Sequence, residues 1–296
     1  MIHESIQLYS DREEVSLVTY IQDSTRLVFG KEKKPAVIIC PGGAYLYLSD
    51  REAEPVALAF SKMGYQAFIL NYSVYGQVNE ELEENPHSKF PAPMQDIARA
   101  MEIIHQNSEK WHINESKIGL IGFSAGGHNV ASYGNMWRSE EVNQGTSLEV
   151  EKLRPAFSVL AYPVTNYWSL YQSYLPLEQL EEDKKKTAYA FAVASFGTTE
   201  ADETILKKWS PALTVNEDTP ATFIWTTRED EVVPASQTLE MMTALDQANI
   251  PYEGHVFSEG PHGLSLAQET TAVQSHQVNP EASTWLPMLR SWLNKI

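Results

Sequence analysis

The run IGLIGFSAGGHNVA, residues 118–131, passes from a short apolar stretch straight into a serine fenced by small residues. Glycine and alanine keep side-chain atoms away, so the backbone can turn tightly and approach its neighbours closely. Gly122, Ser124 and Gly126 spell G-x-S-x-G. In that pattern a strained turn from strand to helix lifts the serine hydroxyl above the edge of a sheet. The alternative is a close helix-to-strand packing contact in which Ser124 is bonded to backbone alone. A partner histidine decides between the two.

The surroundings of this turn alternate in a regular beat. AVIIC (residues 36–40) is a buried strand, EAEPVALAFSKMG a helix stopped by Gly64, and QAFIL the next strand, followed by a polar loop rich in Glu and Asn. Met94, Ile97, Met101 and Ile104 recur at three- and four-residue spacing and predict an amphipathic helix over 91–107. KIGLIGF, FSVLAYP, ATFIWTT and YEGHVF are further strands, with helices near 237–248 and 285–293. EEVSLVTYI near the N-terminus alternates like a strand and is expected at an antiparallel edge. The pattern predicts an α/β fold, a mostly parallel central sheet with helices on both faces. It fits one domain over 1–296, because no repeat or low-complexity linker divides the chain. Residues 165–219 exceed one crossover, and the stretch around 165–207, with NYWSLYQSYLPL and EQLEEDKKK, is expected to form a small cap over the carboxyl edge.

Composition narrows the function classes. With 22 Lys and Arg against 39 Asp and Glu the formal net charge is −17. Such acidity repels phosphate backbones and anionic lipid, which excludes nucleic acid and the membrane surface as partners. The single cysteine, Cys40, forms no internal disulfide, and MIHESIQLYS has neither a cationic start nor an apolar core, so a cytoplasmic location is expected. The apolar run 188–194 is far short of the roughly 20 residues of a membrane span. No G-x-x-x-x-G-K-[ST] or G-x-G-x-x-G pattern is present, and neither metal nor other cofactor is required.

A serine hydroxyl becomes a nucleophile only beside a general base, about 2.6–3.2 Å away. In a strand–turn–helix serine site the chain order is serine, acid, histidine. His262, in the glycine- and proline-rich loop SEGPHGLS, follows the last strand and can hang over the sheet edge. His255 lies inside that strand, His276 in a polar stretch, and His128 four positions past the serine, where it packs beneath the loop. Asp230, at the end of TFIWTTRED, opens D-x-x-V-P and precedes His262 by 32 residues. Glu229 and Glu231 read as a solvated strand end. A developing oxyanion also needs donors. The Ala125 backbone N–H supplies one, and the glycine-rich CPGGAY after the first parallel strand offers others.

The segments GFSAGG, CPGGAY, DEVVP and PHGLS, in this order, resemble the α/β-hydrolase superfamily. CPGGAYLYLSDREAEPVALAF with GFSAGGHNVAS is similar to its acetyl-esterase and acetylxylan-esterase-like group, over about residues 34–293. The resemblance implies Ser124 as nucleophile, His262 as base, Asp230 as orienting acid, and Gly43, Ala44 and Ala125 as oxyanion donors. Pro41 and Ala44 depart from the H-G-G-G of common esterases, so the donor at 44 requires an ordinary backbone conformation or is lost. The implied substrate is a small ester, acetyl on a sugar or xylo-oligosaccharide. Tyr45 and Tyr47 beside the oxyanion loop, with Tyr167, Trp168, Tyr171 and Tyr174 of the insertion, form either an aromatic wall for it or the cap's own core. A charged cap does not suit long-chain lipids. A serine peptidase on the same fold and a non-catalytic ligand-binding protein stay as alternatives, and a homo-oligomer is compatible with all three.

Overall fold

The apolar runs become the middle of an eight-stranded sheet. The computed structural model describes residues 1–22, 33–76, 87–173 and 181–296. Its strands are β1 (Ser5–Gln7), β2 (Ser16–Tyr20), β3 (Lys34–Cys40), β4 (Gln66–Asn71), β5 (Ile113–Phe123), β6 (Ser158–Ala161), β7 (Thr222–Thr227) and β8 (Tyr252–Phe257). The helices are α1 (Glu54–Lys62), α2 (Ala92–Gln106), α3 (Ala125–Met136), α4 (Glu140–Asn143), α5 (Tyr167–Ser173), α6 (Glu182–Phe196), α7 (Glu203–Lys208), α8 (Pro211–Thr214), α9 (Ala235–Gln247) and α10 (Trp285–Leu293).

Strand order is β1-β2-β4-β3-β5-β6-β7-β8. From β4 to β8 every pairing is parallel, while β2 runs antiparallel to β4 and β1 antiparallel to β2. The alternating N-terminal stretch is therefore antiparallel as expected, but it is not the edge. The three residues of β1 cover it.

Strands buried on both faces split their apolar residues between two layers. Ala36, Ile38 and Cys40 of β3 face one core, shared with Met94, Ile97 and Met101 of α2 and Val130 of α3. Val37 and Ile39 face the other, with Phe60 of α1 and Trp285 and Leu289 of α10. Gly64, with φ 98°, ends α1 as the sequence predicts. Between β6 and β7 the chain forms α5 to α8. Tyr167 and Phe196 of that stretch pack on Phe90, Phe191 packs on Tyr167 and Phe196, and Phe90 and Tyr167 hold the ring of His128 beneath them. The polar loop at 77–86 and Tyr174 lie outside the described residues. Among the described residues no helix is long and apolar enough to cross a membrane, and no group of three or more His, Cys, Asp or Glu is placed to hold a metal ion.

Candidate active site

Ser124 stands between the end of β5 and the start of α3 with φ 52° and ψ −117°. This conformation is costly for a residue with a Cβ and persists only where its surroundings hold it. The small neighbours explain how. A Cβ on Gly122 would lie 2.0 Å from the Gly126 carbonyl oxygen, and one on Gly126 would lie 2.0 Å from that of Cys40. The glycines are thus steric requirements of the turn, and the Ser124 N–H is anchored to the Ala161 carbonyl at 2.9 Å.

The two expected partners arrive from the loops after β7 and β8. His262 Nε2 lies 2.9 Å from Ser124 Oγ, and its Nδ1 lies 2.6 Å from Asp230 Oδ2. With an acceptor carboxylate at Nδ1, the proton belongs there, so Nε2 presents its lone pair to the serine hydroxyl. Asp230 is buried, and its Oδ1 accepts the N–H groups of Val232 at 2.9 Å and Val233 at 2.8 Å. Those two bonds fix the carboxylate plane, and the carboxylate fixes the ring. His262 keeps partial exposure on an open cleft of about 770 Å³ that runs past Arg228, Glu229, Glu231 and Pro261.

The other histidines sit elsewhere. His255 bonds Glu253 within β8, His276 is exposed, and His128 is fully buried. Glu229 and Glu231 are exposed, in keeping with a solvated strand end, although Glu229 accepts the Gly260 N–H at 3.3 Å.

The loop after β3 departs from the expectation in one respect. Gly43 has φ 133°, and a Cβ there would fall 2.0 Å from the Tyr47 carbonyl oxygen, so glycine is required. Ala44 and Tyr45, however, also have positive φ, 55° and 59°. The ordinary backbone demanded of Ala44 is not what the chain adopts. This left-handed pair swings the Tyr45 ring inward, and that residue is corrected from substrate contact to core: it is fully buried and donates its hydroxyl to His128 Nδ1 at 2.6 Å. Tyr167 is buried too, and Trp168 is half-buried against the core with the Lys207 ammonium 5.4 Å over its ring. Tyr47, whose ring lies beside Gly43, is the exposed aromatic of this loop at 63 %.

Two residues of the site are absent from the sequence reading. Glu52, buried, accepts the Gly42 N–H at 2.7 Å, and Tyr162 sets its ring edge-on to His262 with centroids 5.1 Å apart. In the sequence Glu52 looks like one of several acids leading into α1, where a carboxylate suits the helix dipole. Tyr162 looks like the end of an apolar strand. Neither offers a local signal.

The geometry has counterparts among known proteins. Residues 28–245 match the family model described as BD-FAE. The chain is 29 % identical over 238 residues to endo-1,4-beta-xylanase B of Butyrivibrio fibrisolvens, covering 80 % of this chain and 33 % of that protein. It is 24 % identical over 256 residues to the acetylxylan esterase of Xylanibacter ruminicola, covering 85 % and 45 %. It therefore spans less than half the length of these two curated relatives. In fold it is similar to the acetyl ester-xyloside bifunctional hydrolase of Caldicellulosiruptor lactoaceticus, at 27 % identity and a TM-score of 0.75, over 99 % of this chain and 96 % of that one. The eight-stranded, mostly parallel sheet is that of the α/β-hydrolases. By the match over most of its length, the chain belongs to the BD-FAE family.

Proposed function

We propose that the protein is a serine carboxylesterase that removes small acyl groups, acetyl in the first instance, from neutral esters such as acetylated sugars or xylo-oligosaccharides. The observation that carries this reading is the continuous relay from Asp230 through His262 to Ser124, with contacts of 2.6 and 2.9 Å. The similarity to an acetylxylan esterase and to an acetyl ester-xyloside hydrolase supports the substrate class.

The chemistry follows from the positions. Ser124 Oγ attacks the ester carbonyl carbon while its proton passes to His262 Nε2, and the carbonyl π pair moves onto oxygen. The Ala125 N–H, at the first position of α3, has no partner within the helix. With the Gly43 N–H it serves as donor to this oxygen; Ala44, whose φ of 55° is not the ordinary backbone its donor role required, is not counted among the donors. Removing one such donor costs about 3–4 kcal/mol of transition-state stabilisation. Collapse expels the alcohol, which takes the proton from His262, and leaves an acyl-serine. Water, deprotonated by the same imidazole, then releases the acid. Asp230 holds the ring and stabilises its cationic form throughout. Helices α5 to α7 act as the cap, and no cofactor takes part.

Replacing Ser124 by Ala is expected to abolish p-nitrophenyl acetate hydrolysis with the circular dichroism spectrum unchanged, and a fluorophosphonate probe should label Ser124 in the wild type. Turnover retained by Ser124→Ala would reject the reading.

A further inference from the structure

Outside the Ser124 turn, three segments that border the site contain non-glycine residues with positive φ: Ala44 and Tyr45 after β3, Tyr162 (38°) after β6, and Ser265 (53°) after β8. Conformations of this kind are costly and are stable only when the surroundings over-determine them. One buried side chain links all three segments. Glu52 is 4 % exposed on the single turn Asp50–Glu52 that precedes α1. Its Oε2 accepts the Gly42 N–H at 2.7 Å and its Oε1 accepts the Tyr162 hydroxyl at 2.6 Å. The Tyr162 oxygen in turn accepts the Ser265 N–H at 2.8 Å, and the Ser265 hydroxyl donates to the Arg51 carbonyl at 2.6 Å. The links close a ring back to the residue beside Glu52.

This ring borders the Ser124 turn, the loop after β3 and the His262 loop. Gly42 packs against Ser124: a Cβ on it would lie 3.0 Å from the serine Cβ and 2.7 Å from Glu52 Oε2. Tyr162 adjoins Ala161, the acceptor for the Ser124 N–H, and its own N–H is tied to the Trp225 carbonyl at 2.6 Å. Its ring buttresses His262. Ser265 lies three residues beyond His262 in the same loop.

We propose that Glu52 is a positioning residue for the reaction at Ser124: it locks the Gly42–Gly43–Ala44 turn and, through Tyr162, the His262 loop into one register. The proposal rests on the serine-esterase reading above. The donor pattern selects the residue type. Both neighbours of Glu52 donate, and only a carboxylate offers an acceptor on each side. Burial and the adjacent Glu52 both raise the Tyr162 phenol well above its ordinary range, so its single proton stays in the bond to Glu52. Glutamine has one oxygen and one NH₂ group, so it can accept from Gly42 or from Tyr162 but not from both, and one of the two loses its acceptor. Aspartate is one methylene too short to reach both.

The test uses the purified full-length chain, p-nitrophenyl acetate, and three single variants and one double variant beside wild type and Ser124→Ala. Glu52→Gln is expected to lower kcat about 10- to 100-fold, the scale of a misplacement of about 1 Å, with KM within threefold of wild type. Tyr162→Phe, which keeps the ring and removes only the hydroxyl, should act in the same direction. The double variant should be no worse than the poorer single one, since both cut one link. Asp96→Asn removes a different buried carboxylate, which accepts the Ser73 N–H at 2.7 Å on the opposite side of the sheet, and controls for stability loss alone. If Glu52→Gln does not fold, Tyr162→Phe decides. The proposal is overturned if kcat per folded molecule is unchanged, if the loss lies in KM alone, or if Asp96→Asn loses as much kcat at equal loss of stability. A wild type that neither turns over nor takes the fluorophosphonate probe overturns the esterase reading itself, and the role of Glu52 with it.

Discussion

Single residues of the loop after β3 show where side-chain chemistry and backbone conformation disagree. Gly43 obeys the rule that a positive φ calls for glycine, whereas Ala44 and Tyr45 break it, at 55° and 59°. An alanine in the left-handed region is strained by about 1–2 kcal/mol relative to the right-handed one. The strain is tolerated because the Tyr45 hydroxyl is fixed to His128 and its carbonyl accepts the Tyr75 N–H at 2.8 Å. Ala44→Gly should relieve it. Part of the gain is offset because glycine gives the unfolded chain more freedom, by roughly 0.5–1 kcal/mol. Urea denaturation is therefore expected to show Ala44→Gly more stable than wild type by about 0.5–1 kcal/mol, and a less stable variant would mean that the loop is not strained at this residue. The inward turn of Tyr45 also explains why its role was hidden in the sequence. Counting along CPGGAY gives no hint that two consecutive residues rotate the ring to the core side, and an aromatic beside a glycine-rich loop reads naturally as a substrate contact.

At the level of elements, the helices and strands with the strongest periodicity were legible, and the pieces that escaped are those with least internal signal. β3 to β8 announce themselves as apolar runs, and α2 by the spacing of Met94, Ile97, Met101 and Ile104. β1 has three residues and no buried side chain, so its existence depends on pairing with β2 and not on its own composition. The relay of Ser124, Asp230 and His262 was readable because strand ends in an α/β sheet place residues at one edge. The Glu52 ring was not, because its bonds join positions as much as 214 residues apart with no shared motif. α3 contains the clearest energetic consequence. His128 is fully buried, takes the Tyr45 hydroxyl on Nδ1 and donates from Nε2 to the Trp209 carbonyl at 2.8 Å. Burial pushes its pKa down to about 3, against about 6.5 in an unfolded chain. Below pH 6.5 the unfolded state therefore binds a proton that the folded state refuses, so stability is complete above that pH and is lost as pH falls toward 3. Between pH 7 and pH 5 this one ring should remove about 2 kcal/mol. The check is the difference between wild type and His128→Gln in urea unfolding at the two pH values; equal losses would show that the ring titrates normally.

The whole molecule brings one further quantity to bear on the reaction, its charge of −17. The topology delivers Ser124, Asp230 and His262 from the ends of β5, β7 and β8 to a single edge, so every substrate approaches the same side of the sheet. On that side the cleft is bordered by Glu229 and Glu231 as well as Arg228, and the local balance is negative like the global one. A neutral acetyl ester feels none of this at a distance, whereas an ester bearing a carboxylate or phosphate must enter against the field. Salt separates the two cases. The screening length falls from about 30 Å at 0.01 M to about 10 Å at 0.1 M ionic strength, so repulsion across the cleft mouth is strong in the first condition and mostly screened in the second. For p-nitrophenyl acetate, kcat/KM is expected to stay within twofold across that range. For an anionic ester of the same acyl group it should start lower and rise several-fold with salt. The rise should appear in KM, because the charge acts on encounter and binding and not on the bond-making at Ser124. An anionic ester hydrolysed as well as the neutral one at low salt would contradict the preference for neutral substrates, and would point to Arg228 as a local cation strong enough to outweigh the two carboxylates beside it.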